Sequence, residues 1–495
     1  MALNLRKPPK LNPKLTAYPY QLDAVKEICD FPYAAIFHEQ GLGKTKIAID
    51  LTLYWLESNI VDTVFIITKK SLTQTWINEF QVHSHIEPRI LSDNRRENNY
   101  AFNAPVLAYV LNYEVISSNL DLIKLFLKTC RVGVILDESQ KIKNPESNLT
   151  KNFLEIANGF HRKIIMTGTP VANRPFDIWS QIKFLDGGNA LGDSFSKFKN
   201  ETDLPKSDAG KEKYSETLAN IMKKIKGFSI RETKISSGLE LPQKTIKTHY
   251  VKMQLKQQQI YDDYRNRLSH EFEVNGEIVK DDVESVLKRL LRLIQCASNP
   301  LLVDKTYKEV PGKFLKLQEL LETADLQKSK VIIWSSFIEN TNWLAQQLSV
   351  YNPERVHGDR SIEERNSAIE RFKKDSSCKI LIATPGAAKE GLTLTVANHA
   401  IFYDRSFNLD DYLQAQDRIH RISQTQECFI HNLIAENTLD EWVDRLLYVK
   451  YQAAQLVQGD VSEKQFTQRM DFNVFEALQQ ILGEKPTQRK DMDDE

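Results

Sequence analysis

The chain is short of cysteine, has no excess of either charge and contains no long apolar run, and each shortage removes a class of protein. Its five cysteines, Cys29, Cys130, Cys296, Cys378 and Cys428, are scattered with no C-x-x-C pair. That argues against a structural zinc or a disulfide framework and fits a reducing cytosol. Lys+Arg and Asp+Glu both number 66, so the formal charge is zero. A protein that coats a phosphate backbone by bulk charge is usually basic. Any nucleic-acid contact here must therefore be local, in a groove, with acid elsewhere. No apolar stretch reaches the roughly 18 residues of a membrane span. The opening MALNLRKPPKLNPK also lacks the apolar centre of a secretion signal. A soluble protein without a membrane partner is expected, cytoplasmic in a prokaryotic or phage-infected cell, nuclear in a eukaryote. No repeat at solenoid or propeller spacing is evident.

What is present is a chain of 495 residues, 41% hydrophobic and 27% charged. That is ordinary globular composition, with enough length for about two to three domains. Between Tyr18 and about Leu185, short apolar runs alternate with amphipathic segments. AAIF (34–37), TVFIIT (63–68), VLAYVL (106–111), VGVIL (132–136) and KIIMTG (163–168) predict buried parallel strands in β-α units. The alternation resumes after Val310 with KVIIWS (330–335), ERVHG (354–358), KILIATP (379–385), HAIFYD (399–404) and ECFIHNLI (427–434). Between the two lies a polar, helical stretch. Within it FEVNGEIV (272–279) carries the Asn-Gly signal of a tight hairpin. The fold class is α/β: two lobes, each a parallel sheet flanked by helices, with a helical insertion between them. The expected boundaries are an extended segment over 1–16, a first lobe over 17–185 and an insertion and connector over 186–310. A second lobe over 311–450 precedes C-terminal helices and a disordered tail over 451–495.

Three segments carry chemistry. AAIFHEQGLGKTKIAIDL (34–51) reads as strand, tight loop and helix. Gly41 and Gly43 let backbone N–H groups wrap a phosphate, and the helix beginning near Lys44 adds the positive end of its dipole. Lys44 would reach the β- and γ-phosphates, and the Thr45 hydroxyl would hold Mg²⁺. His38 stands where the usual loop has its first glycine. Alone, the segment is either a nucleotide cradle or a Gly-rich turn whose lysine faces solvent. VGVILDESQKIKN (132–144) ends a strand in Asp137 and Glu138. The first can hold Mg²⁺ and the second can act as general base, or the pair opens a solvated loop; the upstream loop favours catalysis. QAQDRIHRISQ (414–424) sets Arg418 and Arg421 three apart, hence on one helix face. Such guanidiniums stabilise a γ-phosphate in its transition state, unless they are the wet face of an amphipathic helix.

The order and wording of these segments resemble the Swi/Snf-related branch of superfamily-two helicases, over about Tyr18 to Leu447. YPYQLDAV (18–25) looks like the family's Q motif, with Gln21 as adenine reader. HEQGLGKTK resembles its D-E-x-G-L-G-K-T loop, so the absent first glycine is a family trait and His38 for Asp the departure. KKSLTQTWINEF (69–80) is similar to motif Ia. The sequence DESQ puts Gln140 where the family has histidine, which leaves open how motif II couples to motif III. MTGTPVANRPFDIWSQIKFL (166–185) resembles motif III. FSIRETK (228–234), LPQKT (241–245) and LRLIQCASNPLLV (291–303) resemble connector landmarks. VHGDRSIEERNSAIERF (356–372) and IATPGAAKEGLTLTVANHAIFYDRSFN (382–408) resemble motifs IV and V, the latter leaning toward compact prokaryotic or phage members.

The resemblance implies two RecA-like lobes, ATP and Mg²⁺ as cofactors, and translocation on double-stranded DNA. It adds Gln40, Leu42 and Gly391 to the nucleotide set. It implies nucleic-acid contact at Lys69, Lys70, Ser71, Asn112, Asn173, Thr384 and Lys389. Two rivals remain: a strand-separating DNA or RNA helicase, and a nucleotide-dependent scaffold subunit of a larger complex. No histone-reading, nuclease or zinc-binding segment is visible, so a bare motor relying on partner proteins of a repair, remodelling or defence complex is expected. His83 and His85 have no ligand-spaced companions and read as a polar loop. Trp76, Trp179, Trp334 and Trp343 read as core. The basic stretch 223–247 is either a nucleic-acid channel or a solvated face.

Overall fold

Apolar runs without polar alternation need cover on both faces, and in the computed structural model they receive it. The structure describes residues 10–171, 173–203, 211–275, 283–323, 326, 328–387 and 393–469. These form two compact units. The first is built on residues up to Asp203, on Glu212–Glu240 and on Gln452–Arg469; the second is built on Leu241–Tyr451. The stretch read as a connector is thus shared between them, and the expected tail beyond Arg469 lies outside the described residues.

The first unit holds β1 (Tyr33–Ile36), β2 (Thr63–Thr68), β3 (Arg89–Leu91), β4 (Ala108–Asn112), β5 (Val132–Asp137), β6 (Arg162–Met166) and β7 (Ser229–Ile230). They make one parallel sheet in the order β3-β4-β2-β5-β6-β1-β7. Strands β2 and β4 are buried at every position, as a sheet with helices on both faces requires. The helix Lys44–Glu57 packs Ile47, Leu51 and Trp55 onto it, among Ile36, Val64 and Ile164. Two edge strands escaped the sequence reading. β3 has three residues and β7 only two, too few to show a period.

The second unit holds β8 (Lys244–Val251), β9 (Lys330–Trp334), β10 (Glu354–Val356), β11 (Ile380–Ala383), β12 (Ala397–Phe402) and β13 (Cys428–Ala435). Their order is β10-β11-β9-β12-β13-β8, again parallel. β8 was not expected as a strand because it is polar and largely exposed. Its partner supplies the order: eight consecutive residues, Lys244 to Val251, register against Cys428 to Ala435.

The hairpin expected at 272–279 is corrected in its first half. Residues up to Asn275 continue the helix Leu255–Asn275, and residues 276–279 lie outside the described residues. The Asn-Gly signal is local, whereas the helix begins seventeen residues earlier and carries its hydrogen-bond ladder forward. Among the described residues, no helix is long and apolar enough to cross a membrane.

Candidate active site

The loop after β1 closes on its own lysine. Gly41 and Gly43 have φ of +85° and +68°, and the helix Lys44–Glu57 starts directly after them. Lys44 Nζ donates to the carbonyls of His38, at 2.9 Å, and Glu39, at 3.2 Å, so the ammonium sits inside the loop it belongs to. Gly43 tolerates no side chain: besides its left-handed φ, a Cβ there would stand 2.4 Å from Gln21 Nε2. Gln40 and Leu42 are buried, and Thr45 is half-buried in the first helical turn. Gly168, in the loop after β6, packs on the same turn, where a Cβ would meet Gln40 Cγ at 2.8 Å.

Gln21 is buried against this loop. Its Oε1 accepts from the Tyr18 N–H at 3.0 Å, and its Nε2 donates to the Leu42 carbonyl at 3.2 Å. Tyr20 Oη donates to the same carbonyl at 3.0 Å. The residue expected to read adenine is seen here as a clamp on the glycine loop. His38 is buried. Burial first, then the charges of Lys44 and Arg231, pull it down to about 3, so it is neutral. Arg231, inside the FSIRETK landmark, donates to the Phe37 carbonyl and grips both oxygens of Asp460, at 3.1 and 2.6 Å. Nothing in the sequence pairs Arg231 with Asp460, because the two are 229 residues apart.

Asp137 ends β5, between β2 and β6. Its Oδ2 accepts from Trp76 Nε1 at 2.9 Å and Thr68 Oγ1 at 3.1 Å, and its carbonyl accepts from Tyr113 Oη at 2.8 Å. Burial, reinforced by the neighbouring Glu138 charge, pushes the carboxyl up to about 6 against the pull of Trp76, Lys44 and Thr68. The carboxylate is half-buried beside the like charge of Glu138, a repulsion that a divalent cation would relieve. Trp76, read from the sequence as core, is buried and also orients this group. Its apolar periodicity conceals the indole donor.

Glu138 adopts φ +56° and ψ +51°, a conformation that non-glycine residues rarely hold. Its Oε2 accepts from Gln140 Nε2 at 2.5 Å and lies 4.0 Å from Lys69 Nζ. Gln140 thus turns back onto the glutamate. The link from motif II to motif III runs instead through Ser139, whose Oγ donates to Gln181 Oε1 at 2.7 Å. Gln181 Nε2 then donates to the carbonyls of Pro170, at 3.0 Å, and Asp177, at 2.8 Å. Ser139 and Gln181 are fully buried.

The other expected residues are dispersed. Lys70 is exposed and paired with Asp93 at 3.0 Å, and Ser71 is half-buried beside it. Asn112 caps the helix Tyr113–Ser118, its Oδ1 accepting from the Val115 N–H. Asn173 is half-buried, its N–H donating to Asp177 Oδ2 at 3.1 Å. In the second unit Thr384 is buried just past β11, while Lys389 and Gly391 lie outside the described residues. The single helix face expected for Arg418 and Arg421 is a correction. The helix Leu409–Gln416 stops first, and Arg418 follows in a turn and Arg421 in a bend. Arg421 Nε folds back to the Asp417 carbonyl at 2.8 Å, and Gln424 Nε2 takes the Ile419 and Ala397 carbonyls. The bonds to Asp417 and Ile419 satisfy by side chain what a continued helix would have satisfied by backbone, and the bond to Ala397 ties the segment to β12.

Two parallel α/β lobes, the first carrying a glycine–lysine loop beside an acidic pair, define a protein of RecA-like helicase fold. The model of the SNF2-related domain matches residues 31–302, more than half of the chain, and that of the helicase conserved C-terminal domain matches 312–423. The chain belongs to the SNF2-related family. It is 28% identical over 477 residues to an uncharacterized ATP-dependent helicase of Mycoplasma genitalium, covering 93% of this chain and 43% of that one. It is 28% identical over 435 residues to the putative ATP-dependent helicase/translocase YwqA of Bacillus subtilis, covering 84% and 45%. A solved structure of the Sulfolobus solfataricus SWI2/SNF2 ATPase core in complex with dsDNA aligns at TM-score 0.42 and 24% identity, over 96% of this chain and 98% of that one. The chain spans less than half the length of these curated relatives.

Proposed function

We propose that the chain is an ATP-driven motor that hydrolyses ATP on double-stranded DNA and translocates along it, remodelling DNA or protein–DNA complexes. One observation carries the reading: Lys44, seated on the His38 and Glu39 carbonyls, shares the first unit with Asp137 and Glu138 at the end of β5, and its charge is felt at Asp137. Family membership and relatives named as helicases or translocases support it.

Gly41, Gly43 and Lys44 bind the triphosphate in this reading, and Gln21 and Tyr20 hold the loop's shape and face the base. Thr45 and Asp137 would hold Mg²⁺, which neutralises phosphate charge when bound. Trp76 and Thr68 both donate to Asp137 Oδ2, and the carboxylate they orient would help hold the cation. Glu138 takes the proton of the attacking water. Arg418 and Arg421 are assigned to transition-state charge. Lys69, Ser71 and Asn173 of the first unit and Thr384 and Lys389 of the second are assigned to the nucleic-acid backbone, where contact is largely indifferent to sequence.

Side-by-side ATPase measurements with duplex DNA, single-stranded DNA and RNA test the reading. Duplex DNA should stimulate most, Lys44→Ala should abolish turnover, and Glu138→Gln should bind ATP without hydrolysing it. Preferential stimulation by single strands or RNA would favour a strand-separating helicase. Near-normal turnover in either variant would overturn the site assignment.

A further inference from the structure

Lys69 stands directly after β2, whose last residue, Thr68, grips Asp137. Its ammonium reaches inward to 4.0 Å from Glu138 Oε2, and the two side chains are only 20% and 13% exposed. An ion pair so placed is screened less than one on the surface. The adjacent Lys70 is held elsewhere, by Asp93. A second contact on Glu138 Oε2 is the amide of Gln140, whose own Oε1 is buried without a hydrogen-bond partner. Turning that amide over would set its oxygen against the carboxylate, so the N–H side stays on Glu138. A neutral and a charged group are thus among the contacts on Glu138, whose backbone is one that non-glycine residues avoid. Of these two contacts the charged one can be drawn away by an outside ligand, because a phosphate competes for a lysine ammonium.

We propose that Lys69 is a positioning residue that restrains the Glu138 carboxylate until a nucleic-acid phosphodiester takes the ammonium. In this scheme the ammonium stays on Glu138 while no polyanion is bound, and the carboxylate is held off the water it must deprotonate. A backbone phosphate beside β2 pulls the ammonium outward. Glu138 then loses the ammonium's hold and turns toward the nucleotide. Nucleic acid would thereby accelerate hydrolysis through one side chain in the first unit. The inference rests on the motor reading given above, and the rate without nucleic acid tests it separately.

The test is steady-state ATPase of the full chain, with and without saturating duplex DNA, for wild type, Lys69→Met and Lys69→Arg. Melting temperature and fluorescent-nucleotide affinity are measured alongside. Lys69→Met should raise the rate without nucleic acid by about threefold to fivefold, the worth of one partly buried ion pair. Its further stimulation by duplex DNA should largely disappear. Lys69→Arg, which keeps the charge, should raise the unstimulated rate clearly less than Lys69→Met and retain more of the stimulation by duplex DNA. If Lys69→Met does not fold, Lys69→Gln gives the same reading with a polar side chain. An unstimulated rate equal to or below wild type, with folding and nucleotide affinity intact, overturns the proposal. So does a variant that merely needs more DNA for the same stimulation, since that is a residue that only grips. A wild type that no nucleic acid stimulates would sink the motor reading, while the comparison of unstimulated rates would still judge the restraint on Glu138.

Discussion

Replacing Trp76 by phenylalanine should weaken the cation site at Asp137 while leaving the nucleotide loop in place. The Trp76 indole N–H is one of two donors on Asp137 Oδ2, at 2.9 Å, and Thr68 is the other, at 3.1 Å. A hydrogen bond to a charged group contributes about 1.5–3 kcal/mol, and the lower end applies because the second donor remains. Since about 1.4 kcal/mol is tenfold in a binding constant, the variant should need about ten times more Mg²⁺ for half-maximal ATPase. The pH dependence has a definite sign. Without a cation the Asp137 carboxyl lies at about 6, so below that pH a proton competes with the metal for it. The Mg²⁺ requirement of the wild type should therefore rise as pH falls through about 6. A lost donor favours the protonated form, so in Trp76→Phe the rise should begin at higher pH. Magnesium titrations of ATPase at a series of pH values read both effects. Thr68→Val, which deletes the other donor at nearly constant volume, should shift them in the same direction. If Trp76→Phe lowers the melting temperature but leaves the Mg²⁺ requirement and its pH dependence unchanged, Trp76 only packs and the reasoning is refuted.

Gly43→Ala should abolish nucleotide binding, measured with a fluorescent ATP analogue. It should also cost about 1–2 kcal/mol of stability from the left-handed backbone alone, before the 2.4 Å approach to Gln21 is counted. Gln181→Leu should leave ATP affinity intact but lower DNA-stimulated turnover at least severalfold, because it cuts the buried chain from Ser139 to Pro170 and strands the Ser139 hydroxyl. Unchanged stimulation would show that motif II and motif III are coupled elsewhere. In the second unit, His431 stands 3.1 Å from both His249 and His399, and burial, then the two neighbouring imidazoles and Lys247, lowers it to about 3. The native ring is thus neutral where the unfolded one, near 6.5, takes a proton, so stability falls as pH drops from about 6.5 toward 3. His431→Asn should flatten that fall in thermal melts followed from neutral to acid pH.

Much of the fold was legible because its strands are buried on both faces. TVFIIT (63–68) coincides with β2, and the runs at 34–37, 132–136 and 330–335 each lie within a residue of the observed strand. The failures share a cause. β8 is a polar edge strand ordered by its neighbour β13, β3 and β7 are too short for a period, and the Asn-Gly pair at 275–276 lost to a helix begun upstream. The arginines at 418 and 421 have helical spacing, but the helix stops at Gln416, and the side chains of Arg421 and Gln424 take the Asp417 and Ile419 carbonyls beyond it.

The chemistry-bearing groups were readable from residue order, because a phosphate loop and a strand-end acidic pair are each built from neighbours along the chain. Their adjustment was not. That Trp76 and Thr68 grip Asp137, that Gln140 and Lys69 hold Glu138, and that Ser139 reaches motif III through Gln181 are contacts between segments as many as 69 residues apart. Linear sequence states which donors and acceptors exist. Which of them meet is decided by folding, since a buried polar group must find its partner wherever the packed sheet and helices bring one within reach.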